Sequence, residues 1–410
     1  MRAPILLQIN ASVNTGSTGR IAEEIGQRAI AEGYVSYIAY GREARESQSR
    51  LIRIGSKWDI LFHGLISFLG DAHGLGSRHA TLKLVDEIER ISPDIILFHN
   101  LHGYYLNIEI LITYLKKKRI PLFWTLHDCW PFTGHCSFFD AYNCEKWKTH
   151  CGHCPNSKGY PKSLFFDNST RNFDKKKALL SDLASVSLVP VCQWMSNVVA
   201  DSFMKMHPRF VVYNGTDISV FSPQKRNEWS ETRKRYCIDR RFVVLGVAST
   251  WDKRKGLNDF LWLASQLPQD YQIVLVGLSK EQVRCLPATI IGIKRTESVH
   301  ELASLYSLSD VFVNPTYVDN FPTTNIEALA CGTPVVTYHT GGSPEAIDYS
   351  TGIVVSKGDR ERLKQAILKV VSNPNLYPRE ACRKRAVEHY DKEQRFGDYI
   401  DLFNRALGKD

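Results

Sequence analysis

The stretch Val311-Phe312-Val313-Asn314-Pro315-Thr316-Tyr317-Val318-Asp319-Asn320-Phe321-Pro322-Thr323-Thr324-Asn325-Ile326-Glu327-Ala328-Leu329-Ala330-Cys331-Gly332-Thr333-Pro334-Val335-Val336-Thr337 holds the pattern that the rest of the chain repeats. A short apolar run, Val311–Val313, stops at Asn-Pro. A polar turn follows, then an Ala-Leu-Ala segment of helical character, then a second apolar run from Pro334 to Thr337. Strand, loop, helix and strand in so short a span predict a parallel sheet with crossover helices.

Working outward, the same alternation covers both halves. Strands are expected at Phe242–Val247, Ile273–Val276 and Thr289–Ile293 in the second half. In the first half they are expected at Ile5–Ile9, Val35–Tyr40, Ile95–Phe98, Leu122–Leu126, Val186–Val191 and Phe210–Tyr213. Ile21 and Ile25 repeat at helical spacing, and Leu82, Leu84, Val85, Ile88 and Ile91 do the same before Pro93. The polar, turn-rich segments Asn214–Asp217 and Ser222–Asn227 predict a hinge at 215–235. The expected architecture is α/β, two doubly wound, Rossmann-like domains with a cleft between them. They would occupy 1–215 and 235–385, with a C-terminal helix in 386–410 packing back on the first.

Bulk properties agree with a soluble two-domain chain. It has 410 residues, 43% of them hydrophobic and 23% charged, and a formal charge of +9 that suits anionic partners. No apolar run is long enough to span a bilayer. Gln8 and Asn10 interrupt the first apolar run too early for an export signal, so the opening reads as a buried strand and the expected location is cytoplasmic. In that compartment ten cysteines stay unpaired unless they bind metal.

Three loops after strands carry chemistry. Asn14-Thr15-Gly16-Ser17-Thr18-Gly19-Arg20 sets two glycines before a helix, so backbone can approach a ligand and the helix end can attract anions, or it is simply a tight turn. Ser249–Leu257 places Lys253, Arg254 and Lys255 beside Gly256, cations suited to a diphosphate that accumulates charge as it leaves. Asp319 and Glu327 bracket a turn and the start of a helix that Thr323 or Thr324 can cap, and their carboxylates suit the hydroxyls of a sugar and a ribose.

With these residues in view, the sequence resembles glycosyltransferase family 4, of GT-B fold, over nearly its full length. The carriers are Asp319–Glu327 with the Ala-Leu-Ala-Cys-Gly-Thr-Pro-Val-Val sequel and Gly341-Gly342-Ser343-Pro344-Glu345; Asn214-Gly215-Thr216-Asp217 with Phe221-Ser222-Pro223; Lys255-Gly256; and His127 in Thr125-Leu126-His127-Asp128. The resemblance implies transfer from a nucleotide diphosphate sugar with retention of configuration. Lys255 and a nearby Arg would neutralise the diphosphate, Glu327 would hold the ribose, and Asp319 with the backbone of Phe321, Pro322 and Thr323 would form the sugar site. His127 would meet the donor sugar, and the Gly16–Gly19 loop the phosphates or acceptor. Two departures stand out. Asp319 replaces the family's first Glu, and Thr250 stands where the family's Arg lies, leaving Arg254 as substitute. No Asp-x-Asp pair occurs, so no catalytic metal is expected. The His99-Asn100-Leu101-His102-Gly103 segment is similar to that of bacterial exopolysaccharide and surface-glycan transferases, which implies a glycan or polyprenyl-linked acceptor at the inner membrane face.

Two further features are specific to this chain. Cys136, Cys144, Cys151 and Cys154 lie in an insertion at 129–155 with C-x7-C-x6-C-x2-C spacing. They suit structural zinc, with His135, His150 and His153 as spare ligands, but also read as buried thiols or a disulfide. Trp58, Leu61, Leu65 and Phe68 fall at helical spacing after Arg50, Arg53 and Lys57. That pattern fits a helix on anionic lipid or one packed in the core. The alternatives to a transferase are another nucleotide-sugar enzyme such as an epimerase, or an anion or nucleic-acid binder. Against nucleic acid as a partner, the cations gather at a strand-end loop beside carboxylates rather than interleaving with exposed aromatics.

Overall fold

A computed structural model describes residues 2–409. The chain divides into two compact units, Met1–Tyr213 with Phe396–Asp410, and Asn214–Arg395. The first holds β1 (Ile5–Asn10), β2 (Val35–Tyr40), β3 (Arg50–Arg53), β4 (Ile95–Phe98), β5 (Leu122–Leu126) and β6 (Val186–Pro190), in the order β3-β2-β1-β4-β5-β6. The second holds β7 (Phe242–Val247), β8 (Tyr271–Val276), β9 (Ile290–Ile293), β10 (Val311–Asn314), β11 (Val335–Tyr338) and β12 (Gly352–Val355), in the order β12-β11-β10-β7-β8-β9. All pairings are parallel, as in Leu6↔Ile95 and Val311↔Val244. Central strands β4, β5, β10 and β11 are buried throughout because helices cover both faces of such sheets.

In both sheets the winding direction reverses beside the first strand, between β1 and β4 and between β7 and β10. The loops leaving these neighbouring strand ends diverge and leave a crevice at their carboxyl side. That geometry brings Lys255 and Asp319 together in one unit, and the loop after β1 near His99 in the other.

Several elements differ from the sequence expectation. Phe210–Tyr213 forms only an edge fragment: the amides of Phe210 and Val212 bond to Leu188 and Pro190 on β6 without a full strand. The edge strands β3 and β12 were not expected. The segment taken for a hinge carries the helix Arg226–Arg235, and the second unit starts earlier, at Asn214. The helix Arg379–Tyr390 belongs to that unit, and the chain returns to the first only from Phe396. There Phe396, Tyr399 and Phe403 join Leu6, Ile25 and Phe123 in one core, and Tyr399 Oη lies 3.1 Å from Thr125 Oγ1.

Candidate active site

In the second unit, β7 runs into a loop that Asp252 organises. Its carboxylate accepts the amides of Arg254 and Lys255 at 2.9 and 3.2 Å, and also holds the Arg254 guanidinium at 2.8 and 2.9 Å. Gly256 follows with φ +75° and its α-carbon against Pro315; a β-carbon there would stand 2.3 Å from the Pro315 carbonyl. Only glycine allows that approach. The Tyr317 amide then bonds the Arg254 carbonyl at 2.7 Å, locking the loop after β7 to the loop after β10.

The result is a direct ion pair. Lys255 Nζ lies 2.5 Å from Asp319 Oδ2, with side chains 27% and 18% exposed. Gly341, at φ +53°, supports the same loop from behind, and the Gly342 amide bonds the Asn320 carbonyl at 2.7 Å. Asp259, buried under this loop, accepts Tyr317, Tyr338 and Arg360 and fixes the helix Leu257–Gln266.

The helix Thr323–Ala330 begins differently from expectation. Its cap position is Pro322, which makes no side-chain cap bond, and Thr323 is already helical. Asn325 anchors it, bonding Asn314 at 2.8 Å and Ser343 Oγ at 2.9 Å. Glu327 is buried and accepts Tyr306 Oη at 3.0 Å. Phe321 is tied to the unit's first residue by the Asn214 side chain, which donates to its carbonyl at 3.4 Å.

In the first unit, a polar chain crosses three adjacent strands. Gln8 on β1 donates its amide to the Ala22 carbonyl at 2.8 Å, so its oxygen faces His99 Nε2, 2.9 Å away. His99 Nδ1 in turn lies 3.0 Å from His127 Nε2, and the two rings stack. Burial pushes both imidazoles down, His127 to about 4, so both are neutral. A neutral His99 that donates to Gln8 must accept at Nδ1. His127 therefore carries its proton on Nε2 and presents Nδ1 as an acceptor. Beside it, His102 Nε2 lies 2.5 Å from Asp128. Burial opposes ionisation of Asp128, but its electrostatic interaction and hydrogen bond with His102 outweigh it and hold the carboxyl below its usual range. The glycine loop starts its helix earlier than expected. Gly16, at φ +65°, is the first helical residue and Gly19 lies within the first turn, its carbonyl accepting the Asn14 amide at 2.9 Å.

The insertion gathers Cys136, Cys144, Cys151 and Cys154 around one small cavity with His135 and Trp147. All four are free thiols. Cys136 and Cys154 hydrogen-bond to each other, and Cys151 Sγ accepts the Gly134 amide at 3.3 Å. Among the described residues, no three His, Cys, Asp or Glu side chains are already arranged to hold a metal ion. His135 Nδ1 bonds Asp71 at 2.6 Å, while its buried Nε2 has no hydrogen-bond partner. His150 instead pairs with Asp174.

Two doubly wound parallel sheets, each with loops that diverge at a reversal point, form a GT-B-like fold. Residues 230–389 match the family described as glycosyl transferases group 1, and the relatives that align with the chain are named as glycosyltransferases. WcaC of Escherichia coli K12, a glycosyl transferase named for colanic acid biosynthesis, is 24% identical over 97% of this chain and 99% of its own length. Other named relatives align over 42% to 60% of their own lengths. Among solved structures, sucrose-phosphate synthase of Thermosynechococcus elongatus superposes with a TM-score of 0.73 at 16% identity, covering 99% of this chain and 100% of that one. Anabaena HepE in complex with UDP gives 0.70 at 14% identity, covering 98% and 100%.

Proposed function

We propose that the chain transfers a sugar from a nucleotide diphosphate sugar, with retention of configuration, to a glycan or polyprenyl-linked acceptor in surface polysaccharide assembly. The observation that carries this reading is the Lys255–Asp319 pair at the β7/β10 reversal. Similarity to a colanic acid transferase and to a UDP-bound structure supports it. Bond cleavage leaves a diphosphate with added negative charge. Lys255, held in place by its loop, meets that charge at the leaving diphosphate, and Arg254 assists by turning from Asp252. The pair with Asp319 keeps Lys255 in place before the donor arrives, and binding transfers the cation from carboxylate to phosphate. Asp319 is then released to accept sugar hydroxyls, with the backbone amides of Phe321 and Thr323 on either side of Pro322 beside it. Glu327, steadied by Tyr306, takes the ribose hydroxyls. His127 accepts a sugar hydroxyl at Nδ1, and Gly16 and Gly19 give the acceptor or phosphates close approach.

The four cysteines are assigned here to one structural zinc. Their convergence, the amide donated to Cys151 and the unpartnered His135 Nε2 in the same cavity wall support that assignment.

A thermal-shift panel of nucleotide sugars tests the donor reading. The true donor should raise the melting temperature most, and a panel in which no nucleotide sugar raises it would reject the reading.

A further inference from the structure

The helix Lys57–Gly70 is inside out. Its buried residues are His63 and Ser67, while Trp58 is 78% exposed, Phe62 64%, Leu61 62%, Leu65 50% and Leu69 39%. A soluble helix turns its apolar stripe to the core, so this inversion needs a cause. The inward polar face is tied down: His63 Nδ1 lies 2.9 Å from Ser77 Oγ, and its Nε2 accepts the amides of Gly74 and Gly76 at 3.2 and 3.1 Å. Ser56 and Asp59 close the N-terminus as a reciprocal cap. The helix is therefore held in this orientation by specific bonds.

A second apolar element stands next to it. The Leu164 amide bonds the Phe68 carbonyl at 2.7 Å, and Asn168 Nδ2 bonds the Gly70 carbonyl at 2.7 Å, so the segment between runs along the helix end. A tight turn, closed by Ser163 Oγ to the Phe166 carbonyl at 2.6 Å, projects Phe165 and Phe166 outward, 68% and 63% exposed. Cations flank this face: Lys57, the first residue of the helix, is exposed, and Lys162 lies over the Phe68 ring at 5.6 Å. Arg53 bonds the Gly55 carbonyl at the helix start. The nearby acids, Asp59 and Asp167, are engaged with backbone amides.

We propose that this face docks on an anionic phospholipid bilayer, with the helix lying in the interface and the Phe165-Phe166 turn inserted beside it. Aromatic and aliphatic tips flanked by Lys57 and Lys162 match the boundary between acyl chains and acidic headgroups. A twofold pairing with another copy would set the same lysine-flanked patch against itself, which like charges oppose. The proposal does not depend on the donor assignment.

The test is flotation of the full chain with vesicles of phosphatidylcholine containing about a third phosphatidylglycerol. The parent should float with the vesicles. A Trp58→Ser, Phe62→Ser variant and a Phe165→Ser, Phe166→Ser variant should each lose about fivefold or more of the bound fraction while keeping the parental melting temperature. A Lys57→Glu, Lys162→Glu variant, which leaves the apolar tips intact, should lose binding most strongly at low salt. A parent that stays unbound, or variants that float like the parent, would overturn the proposal. So would sedimentation showing a dimer that the Trp58→Ser, Phe62→Ser change dissociates.

Discussion

At the scale of single residues, the Lys255–Asp319 contact separates a structural role from a chemical one. The pair is only partly buried, so its contribution to stability is on the order of 1 kcal/mol or less. Its proposed contribution to the transition state is larger, because charge on a leaving diphosphate is met in a preorganised site. Lys255→Ala is therefore expected to lower kcat by about 100- to 1000-fold, while the melting temperature shifts by only a few degrees. Steady-state kinetics and a thermal melt on one preparation check both halves. A variant within a few-fold of parental kcat would remove Lys255 from the leaving-group role. The sequence placed both residues in loops after strands, and loop chemistry identified them as candidates. Their contact was not legible, since it follows from β10 lying beside β7. The start of the Thr323–Ala330 helix was misread for a related reason: threonines favour caps in general, but Pro322 fixes the backbone turn one residue earlier.

Among elements, legibility followed burial. Central strands such as Ile95–Phe98 and Leu122–Leu126 are apolar throughout and match their expected limits, because a doubly covered parallel strand has no polar face to confuse the pattern. The edge strand Arg50–Arg53 carries a charge at each end and is mostly exposed, and so was missed. The helix Lys57–Gly70 was read as a stripe of Trp58, Leu61, Leu65 and Phe68. The fold shows Phe68 half-buried and Phe62 outward instead, because His63 selects which face turns in. The cysteine insertion makes its own prediction at this scale. Its C-x2-C end has the spacing of a zinc knuckle, whereas His135 enters only as a spare, because its Asp71 partner lies 64 residues away. Protein purified under reducing conditions should contain about one zinc per chain by elemental analysis. Cys136→Ser with Cys154→Ser should remove the zinc and lower the melting temperature. Metal-free parental protein with an unchanged melt would leave the cysteines as buried thiols.

For the whole molecule, the distribution of histidines predicts an asymmetric response to acid. His63 and His127 are pushed down to about 4 by burial, and His73, His99 and His207 are also held below their ordinary 6.5. All five lie in the first unit. A histidine that is neutral when folded binds a proton on unfolding whenever the pH is below 6.5. The unfolded state then holds more protons, and stability falls as pH drops from about 6.5 towards 4, by up to about 1.4 kcal/mol per pH unit for each such group. His135 acts in the opposite sense: burial disfavours its charge, but the hydrogen bond to Asp71 outweighs that and raises it. One opposing group does not cancel five. The carboxylates held low by partners, such as Asp128 and Asp217, lose their contribution only at lower pH. Two compact units need not unfold together, so calorimetry at pH 7.5, 6 and 5, taken as round values spanning this window, should resolve the effect. The transition belonging to the first unit should move steadily down as pH falls, and the other should move less. The first can be assigned with a Phe403→Ala variant, since Phe403 is fully buried in that unit's core and its loss should cost about 3 to 5 kcal/mol. Melting temperatures that stay level between pH 7.5 and 5, or a greater acid loss in the transition that Phe403→Ala leaves unmoved, would show that these imidazoles are not held neutral by the fold. The Nε2–H assignment of His127, which rests on a neutral His99, would then fall with them.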